Sequence, residues 1–60
     1  MYINEKDYLQ EMIEHHSMAL LTSKSIIEKT NDNQVKNLAQ NIIKSQQAEI
    51  NYMGQLLQKY

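Results

Sequence analysis

The chain has 60 residues, no cysteine and a formal net charge of −1. That length allows one domain at most and buries only about 60% of the surface an unfolded chain exposes, so a scaffold of this size ordinarily leans on disulfides, a metal or a partner chain. The lack of cysteine removes the first of these, and six lysines spread along the chain without one arginine offer no basic patch for a phosphate backbone, which argues against nucleic acid as a partner.

No apolar run approaches the ~20 residues needed to span a bilayer, and Met1 to Tyr8 is too polar for the apolar region of a signal peptide. A segment removed by processing would leave no trace, and a cysteine-free composition suits oxidising and reducing compartments alike. Proline is absent and the single glycine, Gly54, lies near the end, so nothing interrupts two long helical segments. The first is predicted over about 5–29. Asn4 is placed to cap it, Glu5 and Asp7 put negative charge in its first turn, and Ile3 and Tyr8 stand where a hydrophobic staple would close. Leu9, Met12, Ile13, His16, Ala19, Leu20, Ser23, Ile26 and Ile27 then recur at three-and-four spacing.

Residues 30–33, with Thr30, Asn31, Asp32 and Asn33, read as a loop, because their short polar side chains satisfy backbone donors in place of a continuing helix. The second helix is predicted over about 34–58, starting from Asn31 or Asp32 as cap, with Gln34 completing a capping-box-like arrangement if Asn31 serves. Its stripe is Val35, Leu38, Ala39, Ile42, Ile43, Gln46, Glu49, Ile50, Met53, Leu56 and Leu57. Two helices of equal length and a short loop make an antiparallel hairpin spanning 1–60. Each apolar stripe is at least ~100° wide, and a pair of helices hides only the part where they touch. The expectation is therefore an all-α hairpin dimerising into a four-helix bundle, unless the covering pair belongs to a longer native chain.

Polar residues interrupt both stripes. At about 100° per residue, Gln46, Glu49 and Met53 share one face of the second helix, and Met12, His15, His16 and Ala19 share one face of the first. A hairpin turning near Asp32 sets His16 level with the Gln46 to Glu49 turn and Met12 beside Met53. Burying such groups unpartnered costs on the order of 1–3 kcal/mol each, so two accounts stand side by side. In one, His16, Glu49 and Gln46 form an internal polar network that fixes register, with the methionines as gap fillers. In the other, the imidazoles and thioethers bind a metal: sulfur favours Cu(I), while the imidazoles with Glu49 suit zinc or Cu(II). Met18, off the stripe toward the flank or a dimer partner, is an outer ligand at most. A di-iron centre needs Glu-x-x-His on paired helices, but Met12 and Ile13 stand three residues before His15 and His16. Acid–base carboxylate pairs, nucleophile–base pairs and phosphate loops are likewise missing, so no enzymatic chemistry is expected.

The run "MIEHHSMAL" followed by "VKNLAQNIIKSQQAEINYMGQLL" resembles the family known as domain of unknown function 305, a ferritin-like helical group. The matching positions are Met12, Ile13, His15, His16, Ala19, Leu38, Ala39, Ile42, Ile43, Gln46, Glu49, Ile50, Met53 and Leu57. Members similar to this chain include exported bacterial proteins that bind copper through histidine and methionine and are linked to copper tolerance. The resemblance thus implies an exported or periplasmic copper-handling bundle, with Met12, His15, His16 and Met53 carried over as ligands. Three departures bear on this: Glu14 replaces the family's proline before the histidines, Met18 replaces a small residue, and Thr22 replaces a methionine that would enrich a sulfur site. The expected metal set is His15, His16, Met12, Met53 and Glu49 holding a copper ion, with zinc as the other option. Gln46 and Met18 support it from behind. The rival expectation is an oligomerisation module with a His-Glu-Gln network and no specific metal.

Overall fold

In a computed structural model of the chain, residues 3–60 are described; Met1 and Tyr2, the first two residues of the polar N-terminal stretch, lie outside them. Two helices make up the fold, α1 over Glu5–Lys29 and α2 over Asn33–Leu57, packed against each other as an antiparallel hairpin.

Each terminus has an identifiable cause. Asn4 is extended, and its side-chain oxygen accepts from the Asp7 backbone N–H at 2.8 Å. Glu5 and Asp7 complement the positive end of the α1 dipole. Ile3 and Tyr8 line one cavity at this end, where a staple would put them. At the other end Thr30 swings into extended backbone while its N–H still donates to the Ile26 carbonyl at 2.9 Å. Its hydroxyl accepts from the Asp32 N–H at 3.1 Å, which tightens the connection without a left-handed residue.

The loop is shorter than the four residues expected: Thr30, Asn31 and Asp32 suffice, and α2 begins at Asn33. Asp32, not Asn31, is the cap. Its Oδ1 accepts from the N–H groups of Gln34 at 2.9 Å and Val35 at 3.3 Å, so Gln34 contributes its backbone and the capping box is not formed. A carboxylate is the stronger choice here, because its charge faces the orphan N–H groups of a helix N-terminus. Gly54 lies inside α2 and does not end it.

Four of the described residues are buried: Leu9, Ser23, Ala39 and Met53. They sit seven apart on either side of the two polar residues of the stripes. The α1 seam runs Leu9, His16, Ser23 and the α2 seam Ala39, Gln46, Met53. Heptad spacing keeps such positions on one line facing the partner helix. Read from the open end to the turn, an apolar level is followed by a polar one and then by a level of two small residues, Ser23 and Ala39, which let the helices converge.

The hairpin is a slab of 43 × 24 × 13 Å, little thicker than one helix with its side chains. Its radius of gyration is 13.9 Å, against about 10.4 Å for a compact chain of this length. Its accessible surface is 4894 Å², about 800 Å² more than the ~4,100 Å² of a compact monomer of its mass. Tyr8, Ile26, Leu38 and Tyr52 are among the large apolar side chains left exposed. None of the described helices is long and apolar enough to cross a membrane.

Candidate metal centre

The central level of the seam carries the polar side chains His16 and Gln46. His16 and Gln46 each lie one residue from the midpoint of their helix. At this level the His16 Nε2 stands 3.4 Å from the Glu49 Oε1. The contact spans α1 and α2 and brings together the imidazole and carboxylate that the folded-back sequence placed side by side. Only 18% of the His16 side chain is accessible, whereas 56% of Glu49 is. The carboxylate therefore reaches over the edge of the seam and keeps much of its hydration, and a single hairpin does not shelter the pair as a closed core would.

The other expected ligands are distributed around this contact. Met53 is buried and Met12 half-buried, the first one turn after Glu49 and the second one turn before His16, so both lie on the open-end side of the pair. Gln46 is half-buried in the seam, while the amide pair of α2 is made on the outer face by Gln47, whose Nε2 donates to Asn51 Oδ1 at 3.1 Å. His15 is exposed, turned about 100° from His16 by its place one residue earlier on the helix. It does not join the His16–Glu49 contact. Met18 is 63% exposed and, two residues beyond His16, points about 160° away from it. That places Met18 on the far side of α1, outside reach of the pair.

Among the described residues of one chain, no three His, Cys, Asp or Glu side chains gather closely enough to hold an ion. His16 and Glu49 offer one nitrogen and one carboxylate in contact, which is half of a tetrahedral N/O set. Two further features were not anticipated from the residues alone: the seven-residue spacing that makes His16 and Gln46 the central seam positions, and an open cleft of about 380 Å³ lined by Tyr8, Leu9, Leu56 and Tyr60. The first was present in the stripes as a heptad register; the second depends on how the helix ends splay.

A helical hairpin with one His–Glu contact at its middle defines only a class of small all-α proteins, but comparison goes further. The family described as domain of unknown function (DUF305) matches residues 4–60, and the chain belongs to it. It is similar to the uncharacterized protein L153 of Acanthamoeba polyphaga mimivirus, with 52% identity over 56 residues. The match covers 93% of this chain and 37% of that protein, so the chain spans little more than a third of the relative's length. No solved structure matches the chain.

Proposed function

We propose that the protein is a non-enzymatic metal-binding hairpin, with copper as the preferred ion, that pairs into a four-helix bundle and serves in copper handling. The observation that carries this reading is the approach of His16 Nε2 to Glu49 Oε1 at 3.4 Å across two helices. The nitrogen that faces the carboxylate is one that ligates metals, and the carboxylate is free enough to turn toward an ion. Met12 and Met53, beside the pair in the seam, supply the polarizable sulfur that distinguishes a copper site from a purely hard one. His15, on the adjoining flank, is a further imidazole within the same turn. Gln46 holds its place beside His16 as an orienting group.

Titration of metal-free protein with Cu(I) and with Cu(II) against competing chelators tests the reading. Replacing His15 and His16 together by alanine should lower the affinity by at least 100-fold; unchanged affinity would remove the site from this level. A second reading, an oligomerisation module without a specific ion, rests on the same His16–Glu49 contact acting to fix the register of α1 against α2. It predicts that no metal shifts the melting temperature.

A further inference from the structure

We infer that the metal centre is shared: a second copy of the chain docks on the face that carries Tyr8, Ile26, Leu38 and Leu56, so that two His16–Glu49 pairs meet in one central layer. This inference rests on the metal-binding reading and adds to it the partner, the docking face and the stoichiometry.

The two broad faces of the slab differ in how far their apolar character extends. Taking the direction from one helix to the other as zero, and about 100° per residue, one flank reaches Lys6 and Lys24 on α1 and Lys36 on α2 at about 80°. There the apolar sector stops. On the opposite flank the same angle is occupied by Tyr8 and Ile26 on α1 and by Leu38 and Leu56 on α2. Tyr8 and Leu56 line one cleft, so these two flanks lie on the same side of the hairpin. In a four-helix bundle each helix turns its apolar sector toward its hairpin mate and, about 90° further round, toward the neighbouring hairpin. Only the Tyr8–Leu56 side satisfies that geometry. Tyr8 and Leu38 are more than half exposed in the single hairpin, and Ile26 is exposed too.

The occupant is a second copy on two grounds. The hairpin exposes about 800 Å² more than a compact monomer of its mass, spread over the slab, an amount on the scale of one partner's share of a standard interface. The polar layer also lies at mid-length of both helices, so a two-fold axis along or across the bundle brings it opposite its own counterpart. A buried polar layer placed off-centre would meet an apolar level in one of those arrangements.

The same side carries the chemistry. Glu49, Met12 and His15 all lean toward it by the same angular count, with His15 at about 100°. That explains an exposed imidazole beside a half-buried one: His15 faces the docking side, not the seam. The described residues of one copy offer fewer than three His, Cys, Asp or Glu donors in a group. The two His16–Glu49 pairs offer two imidazoles and two carboxylates, an N/O set that suits zinc or Cu(II), with His15 of each copy and thioethers adjacent.

Ser45 and Gln47 flank Gln46 at the same level and point to opposite faces, Ser45 toward the proposed partner. Sedimentation equilibrium of Ser45→Arg and Gln47→Arg, with calorimetric titration of Cu(II) and zinc into the unmodified chain, tests the inference. The expected result is a dimer for the unmodified chain and for Gln47→Arg, a monomer for Ser45→Arg, half an equivalent of metal per chain, and at least tenfold weaker metal binding in Ser45→Arg. Dissociation by Gln47→Arg in place of Ser45→Arg, or a monomeric unmodified chain, would overturn it. One full equivalent of metal per chain would also overturn it while leaving the metal-binding reading intact. A dimer that takes up no metal removes that reading and the shared centre with it. The stoichiometry of the unmodified chain decides the matter even if Ser45→Arg fails to fold.

Discussion

His16 and Glu49 tie α1 to α2 at mid-length, with Nε2 3.4 Å from Oε1, and they do so with unequal burial, 18% of one side chain accessible against 56% of the other. A polar contact so open to water contributes at most about 1 kcal/mol to the stability of a single hairpin. Its contribution is therefore small beside the burial of Leu9 and Met53 in the same seam.

The first prediction follows from that imbalance. His16→Leu combined with Glu49→Leu should give metal-free protein that melts at least as high as the parent, because apolar replacement of a polar pair is neutral or stabilising. Copper at 100 times its dissociation constant should stabilise the parent by about 2.7 kcal/mol, or roughly 10–20 °C in a domain of this size, and should leave the double variant unmoved. Thermal melts with and without metal check both statements.

Exposed apolar residues should divide by face. Leu38→Asp, on the proposed docking side, should lower the melting temperature and abolish its dependence on protein concentration. Leu21→Asp, at a residue 68% exposed on the outer side of α1, should change stability by no more than about 0.5 kcal/mol. Equal effects of the two would show that neither face is covered.

Gly54→Ala should stabilise the chain by about 1 kcal/mol, the difference between the two residues inside a helix. A methyl group there meets nothing within 4 Å, so no clash offsets the gain. Denaturant melts should show a higher midpoint with an unchanged slope.

Asp32→Ala should cost about 1 kcal/mol by removing the acceptor for two N–H groups of α2. Asp32→Asn keeps the hydrogen bonds and loses the charge, so it should recover more than half of that cost. The difference between the two variants, which salt should reduce, measures the interaction of the carboxylate with the helix dipole.

Ser23→Leu should destabilise by about 1–3 kcal/mol, since Ser23 is buried at the level of Ala39 and extra methylenes there overpack the seam. Far-UV melts would detect it directly.

Much of this architecture was legible in the residues. Asn4 as cap, the acidic first turn, the hairpin and the meeting of His16 with Glu49 all follow from local capping chemistry and a fixed angular period. Asp32 over Asn31 did not, because both are good caps and the choice depends on how tightly Thr30 turns the chain. His15 and Glu49 were placed near His16 by the angular period and the level of the turn, and Met18 toward the flank or a partner. Their exposure depends on what covers the slab, and periodicity specifies only that something must. The place of Met18 follows from the helix alone, since two residues along from His16 is more than half a turn.

The three-residue connection also governs how the molecule forms and opens. Contacts nearest Thr30–Asp32 close the smallest loops at the least entropic cost, so pairing should begin beside Ser23 and Ala39 and advance like a zip toward Leu9 and Met53. Amide hydrogen exchange should accordingly be slowest beside the bend and fastest at the free ends. An ion entering at the middle would then act as a clasp halfway along, holding the later-closing half against fraying.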